Sequence, residues 1–306
     1  MDTPITPSQV GRAVYACIRE CAATLRADCF DATQNAYDAA LAADGQSREA
    51  GVLRCIVRNA IIGRNEGMPI CQDTGSVWVC LEVGERLAVP GDVFSEVPAA
   101  VERAYVEGRL RMSMVKDALF DRANTQSNNP AFTEVRIVPG AGCRMHVMLK
   151  GGGSDNASRL VMLPPSAGHE GIKAELLACV REKAANACPP LLIGVGVGGT
   201  FDKVAALAKT ALLREVGSPA QSDEAAAFER ELLDAVNATG IGPGGLGGSP
   251  TALAVHLNTA PCHIAALPLA INMGCCAMRS ATVELVDADG RALANPAADT
   301  WQHVKQ

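Results

Sequence analysis

Residues 191–199, LLIGVGVGG, constrain the fold more than any other stretch. A short, continuous apolar run without polar alternation reads as a buried strand, here running into a glycine turn. Such a strand needs other elements packed over it. The residues that follow, FDKVAALAKTALLREV at 201–216, supply a helical pattern directly after the turn.

The rest of the chain mixes both periods. Residues 8–43 read as helical, with Val10, Val14, Ile18, Cys21 and Leu25 at helix spacing. A further helix runs from about Ser47 to Arg64, with Leu53, Val57 and Ile61 four apart, and stops at GRNEG. In SVWVCLEVG, Val77, Val79, Leu81 and Val83 alternate with Trp78, Cys80 and Glu82, which predicts a half-buried strand. A helix is expected over 93–117, strands near 132–138 and 143–150, and then the loop KGGGSDN. Helices follow over 169–187 and from Ser222. The loop NATGIGPGGLGGSP holds six glycines, and TALAVHL, IAALPLAINM and ATVELV read as strands. Helices come first and then interleave with strands, so the expected class is α+β, an irregular α/β arrangement. We expect a single domain over residues 1–306, helical over 1–66 with a mixed core over 67–290.

Composition excludes several roles. Of the 306 residues 20% are charged, and the net charge is −6, which argues against nucleic-acid or anionic-membrane partners. No apolar run approaches the roughly 18–20 residues of a membrane span. MDTPITPSQV lacks the basic and apolar regions of a leader, so a cytoplasmic protein is expected. In that compartment the 12 cysteines are not a disulfide framework, and no CxxC pair is present.

Cysteines on punctuation stand out. Cys71 lies in PICQDTG, Cys188 in ACPPLL at a helix end, and Cys275 and Cys276 in NMGCCAMR after a strand. Cys17, Cys21, Cys55 and Cys179 sit inside helical patterns and Cys80 inside a strand, which makes those five core residues. On position alone the loop thiols fit either metal ligation or burial as small apolar groups. Three thiolates would suit an iron–sulfur cube with one open iron or a zinc with an open site. Gln72 and Asp73 follow Cys71 directly, although DTG is also good turn chemistry. Arg111, in RLRMS, reads as a solvated charge on a helix, and His263, in PCHIAALP, as a satisfied core histidine. GVGVGG does not have the G-x-G-x-x-G spacing of a dinucleotide site, and the other glycine loops lack a following P-loop lysine.

Taken together, PICQDTG, KGGGSDN, LPPSAG, CPPLLIGVGVGGTFDK, NATGIGPGGLGG and CHIAALPLAINMGCCAMR give a specific resemblance from about residue 10 to 285. The chain resembles the α subunit of class I, iron–sulfur-dependent fumarate hydratases, whose superfamily includes the L-tartrate dehydratase α subunit. The resemblance implies a [4Fe–4S] cluster held by Cys71, Cys188 and Cys275, with one iron open as a Lewis acid. Cys276 stands where that family commonly has another residue, often histidine. The implied substrate contacts are Gln72, Arg111 and the Gly152 and Gly153 amides, with Asp73 and His263 positioning or protonating oxygens. The family also has a β region carrying further cations and the base, for which this chain has no room. The expectation is therefore a hydro-lyase interconverting fumarate and L-malate, active with a β subunit in an α2β2 assembly. Within the superfamily the alternatives are L-tartrate or a methylated fumarate as substrate. Outside it, the alternative is a non-catalytic metal-binding scaffold subunit.

Overall fold

In the computed structural model residues 5–293 are described, and they divide into two compact units. Residues 1–4, where the segment read for a leader begins, lie outside the described range. Both units mix helices with a four-stranded sheet, the α+β class expected.

One unit combines residues 5–26, 62–151 and 279–293. Its sheet contains β1 (Ser76–Gly84), β2 (Phe132–Val138), β3 (Cys143–Lys150) and β8 (Ser280–Val286). The strand order is β2-β1-β3-β8, parallel between β1 and β2 and antiparallel at the other two pairings. Helix α1 (Pro7–Ala23) starts where Thr6 accepts a hydrogen bond from the Gln9 amide (3.2 Å) and proline takes the first turn. Its buried stripe of Val10, Val14 and Ile18 shares one core with Val77, Val79 and Leu81 of β1 and Val101 and Ala104 of α4 (Val97–Glu107). The second face of β1 is also covered: Trp78 and Cys80 are buried, with Ser76 and Glu82 partly exposed. Alternating polarity therefore marked the two faces correctly, but not their exposure. Helix α4 is far shorter than the expected 93–117. Gly108 closes it by donating to Ala104 O and Val106 O, and Arg109 then turns left-handed (φ +52°). Arg111 consequently lies beyond the helix, not on it.

The other unit holds residues 27–61 and 152–278. Its sheet has the order β4-β7-β5-β6, from β4 (Arg159–Leu163), β5 (Leu191–Gly199), β6 (Ala252–Cys262) and β7 (Leu267–Gly274). Strand β5 pairs parallel with β6 and antiparallel with β7, and β4 pairs antiparallel with β7. Leu191, Ile193 and Val195 of β5 pack with Leu176, Cys179 and Val180 of α6 (Gly168–Lys183) and Leu232 and Val236 of α8 (Asp223–Asn237). On the opposite face lies α7 (Phe201–Ala211), which ends before Val216. A Cβ on Gly194 would stand 2.1 Å from Ala208 O, and one on Gly196 2.5 Å from Val204 O. The glycines of LLIGVGVGG thus let a helix backbone lie directly on the strand.

Helices α2 (Ala27–Asp44) and α3 (Arg48–Glu66) contribute Ala40, Ala50 and Leu53 to a smaller cluster. The buried face of α3 runs through Ala50, Leu53, Val57 and Ala60, which leaves Ile61 43% exposed. Cys55 is exposed as well, against its reading as a core thiol, because it points away from that face. The GGGSDN stretch, expected as a loop, forms the short helix α5 (Gly152–Asn156).

Candidate active site

The candidate residues form two groups, one in each unit. In the first unit Cys71, Gln72 and Asp73 lie on the irregular segment between α3 and β1. Cys71 and Asp73 are half-buried and Gln72 is exposed; Cys71 Sγ lies 3.6 Å from Gln72 Oε1. Asp73 Oδ1 accepts from the Gly75 amide at 3.0 Å, the turn bond that DTG chemistry predicts. The next residues fasten the segment. Thr74 Oγ1 donates to Arg111 O (2.6 Å), while Tyr105 Oη and Asn128 Nδ2 donate to Gly75 O (2.9 and 3.1 Å). Gly75 (φ +79°) has no room for a side chain, since a Cβ would be 2.6 Å from the Lys150 carbonyl. Arg111 is thereby tied by its backbone to the Cys71–Asp73 segment while its side chain stays exposed.

Thr74, Tyr105 and Asn128 were not singled out by sequence reasoning. The one signal for Thr74 was its place inside PICQDTG; Tyr105 and Asn128 carried none.

In the second unit, Cys188 and Cys275 lie at one end of the sheet, because Leu192 of β5 pairs with Gly274 of β7. Cys188 is exposed and left-handed (φ +56°, ψ +69°), and its carbonyl accepts the Cys276 amide at 2.9 Å. That bond joins the two cysteine segments, with Cys275 and Cys276 both half-buried. Gly152 and Gly153 are exposed on α5, and a Cβ on Gly153 would be 3.3 Å from Asn186 O, just before Cys188.

His263 is placed differently. It sits exposed in the β6–β7 turn, its Nδ1 accepting the Ala265 amide at 3.1 Å, so it is not a core histidine. Strand β7 then separates it from Cys275; eight residues of strand span roughly 26 Å at ~3.3 Å each. Within this unit the structure does not bring His263 to the thiol end.

Five of the other cysteines have a different character. Burial pushes the thiols of Cys21, Cys80 and Cys143 up to about 12, and those of Cys17 and Cys179 up as well. Such thiols stay protonated and inert. Cys71, Cys188 and Cys275 instead sit on turns, partly or fully accessible, and thiolates are the donors an iron–sulfur group takes. Among the described residues no group of three or more His, Cys, Asp or Glu side chains converges on a single metal ion.

Residues 11–284 match the profile of the Fumarate hydratase (Fumerase) family. The chain belongs to that fumarate hydratase family. A relative in Methanocaldococcus jannaschii, named putative L(+)-tartrate dehydratase subunit alpha, is 35% identical over 280 residues, 89% of this chain and 96% of the relative. In Escherichia coli K12 the L(+)-tartrate dehydratase subunit alpha is 36% identical over 225 residues, 72% of this chain and 73% of the relative. The same-named protein of Escherichia coli O157:H7 matches to the same extent. Fumarate hydratase and tartrate dehydratase both name the addition or removal of water, so the family is one of hydro-lyases. Among the described residues of this fumarate hydratase family member, no helix is long and apolar enough to cross a membrane.

Proposed function

We propose that this chain is the cluster-binding α subunit of a [4Fe–4S] hydro-lyase that interconverts fumarate and L-malate, its site completed by a β subunit. The observation that carries this reading is the family match over residues 11–284, spanning every candidate residue. Supporting it, the Cys71–Asp73 segment and Arg111 are fastened together, and Cys188 is joined to the Cys275–Cys276 turn. Cys71, Cys188 and Cys275 would hold the cluster; when bound, it supplies one open iron as a Lewis acid toward the substrate hydroxyl.

The chain's own residues do the rest. Arg111 pairs with one carboxylate through its planar fork. Gln72 and the Gly152 and Gly153 amides donate to substrate oxygens, which stabilises charge as it develops next to the far carboxylate. Asp73 moves a proton at a substrate oxygen, its Oδ1 steadied by the Gly75 amide. Given the length of β7, His263 would act on this dicarboxylate only if another chain carried it there. We propose residues 1–306 as one functional domain in a cytoplasmic α2β2 assembly.

The relatives' names favour a second reading, L-tartrate dehydration. Anaerobic co-purification with the β partner and parallel assays on fumarate, L-malate and L-tartrate separate the two. Turnover of fumarate and L-malate, with tartrate untouched, is the expected result. Tartrate turnover alone would replace the first reading by the second, and a complex inert toward all three acids would overturn both.

A further inference from the structure

We propose that Arg279 is a positioning residue that holds the Asp73 carboxylate in place from across Gly151. The proposal rests on the reading of Asp73 as a site residue, and Arg279 itself has no role in that reading. All three residues belong to the same unit.

Arg279 is 1% exposed and is among the largest fully buried side chains. Its Nε and Nη1 are buried with no hydrogen-bond partner among the described residues. Its carbonyl accepts the Leu149 amide at 2.9 Å, which sets it beside the end of β3, where Lys150 and Gly151 follow. A Cβ built on Gly151 would stand 3.3 Å from Asp73 Oδ2 and 3.5 Å from Arg279 Nη2. The carboxylate and the guanidinium therefore converge on the side of Gly151 that a side chain would fill.

A buried guanidinium with unmet donors is costly, and a site with only packing to do is better served by an apolar side chain of similar volume. An opposite charge nearby offsets that cost, and Asp73 provides it across the glycine. Tyr105 senses both groups: burial first pushes its phenol up to about 12, Arg279 opposes the rise and Asp73 adds to it. The two oxygens of Asp73 are then constrained separately. Oδ1 takes the Gly75 amide at 3.0 Å, and Oδ2 lies by the same Gly151 Cβ position as Arg279 Nη2. A carboxylate bonded at one oxygen and facing a buried cation with the other favours one orientation toward a substrate, which is worth more than free rotation.

The test is a double-mutant cycle in the α/β complex: wild type, Arg279→Met, Asp73→Asn and the double variant. Arg279→Met should lower kcat by about 30- to 100-fold, with KM changed less than about threefold and Tm not reduced. In the Asp73→Asn background the same substitution should cost less than about threefold. Arg279→Lys, which keeps the charge, should recover about a third or more of the lost rate on a logarithmic scale. Equal fold losses in both backgrounds would show that Arg279 acts independently of Asp73, and would overturn the proposal. A crystal structure of the Arg279→Met chain gives a readout free of activity: Asp73 Oδ2 should leave its place beside Gly151, and an unmoved carboxylate overturns the assignment. Absence of turnover in the wild-type complex sinks the functional reading instead, and the crystal structure alone then decides the role of Arg279.

Discussion

Glu82 on β1 faces Arg144 and His146 across the strand pair, with His146 Nε2 3.2 Å from its Oε2. The His146 ring also contacts Thr282 Oγ1 at 2.8 Å. These groups, His146 foremost, hold the Glu82 carboxyl below its ordinary 4.5. A depressed acid stabilises the fold above its unfolded value and loses that contribution as pH falls through the lower folded value. Glu82→Gln should therefore cost about 1–2 kcal/mol at pH 6, read from urea midpoints, and the difference should shrink as pH drops below 4.5. A difference that stays constant through that window would mean that packing, not charge, is what the substitution removes. Thiol chemistry gives a second residue-scale prediction. Burial keeps Cys17, Cys21, Cys80, Cys143 and Cys179 protonated, while Cys55, Cys188 and Cys262 are exposed. Brief alkylation of the native apoprotein, followed by mass spectrometry of its peptides, should find label on the exposed three and none on the buried five. Cys275→Ser should lose bound iron and sulfide and Cys276→Ser should keep them. The reverse pattern would move the ligand to the thiol whose own backbone amide already bonds Cys188.

At the scale of elements, β5 with α7 over it is the arrangement most dependent on missing atoms. Gly194→Ala would place a methyl 2.1 Å from Ala208 O and Gly196→Ala one 2.5 Å from Val204 O, both against backbone that cannot step aside. Each should destabilise by about 3 kcal/mol or more, as overpacking in a filled core does. Gly91→Ala is the control, since nothing lies within 4 Å of its Cβ position; it should change stability by less than about 0.5 kcal/mol. Matching urea midpoints for Gly196→Ala and Gly91→Ala would show that α7 can slide off the strand. The same contact shows why these elements were legible. A fully apolar strand followed by a helical repeat leaves few folds open, and Val10, Val14 and Ile18 marked the buried stripe of α1 equally well. The segment 93–117 failed for a local reason: one glycine and a left-handed Arg109 end the helix at Glu107, and periodicity does not register caps. Cys55 failed because helical spacing says that a face exists without fixing which way it turns.

At the scale of the whole molecule, the sequence marks candidate residues more readily than their arrangement. Long motifs marked Cys71, Gln72, Asp73, Cys188 and Cys275, because unusual side chains clustered on turn chemistry are visible in a string. Strand direction is not visible in that way. His263 and Cys275 are twelve positions apart, yet β7 carries them to opposite ends of the sheet. Arg279, within NMGCCAMR, carries no signal of its own, because a sequence does not show that a cation is buried. Charge then argues for a partner. A C4 dicarboxylate brings two negative charges, and the candidate residues supply one exposed guanidinium, Arg111, to a chain of net charge −6. Binding two carboxylates against that background needs further cations near the site. Relatives named as alpha subunits make a β chain the natural source. The chain reconstituted alone should therefore turn over substrate at less than about one-thousandth of the rate of the α/β complex, a loss of about 4 kcal/mol in transition-state stabilisation. Adding purified β chain should restore the rate with a saturable midpoint, and raising ionic strength should raise KM in the complex as the carboxylate contacts are screened. Full activity in the isolated chain would show that its own residues supply the missing charge, and would move the search for those cations back into residues 1–306.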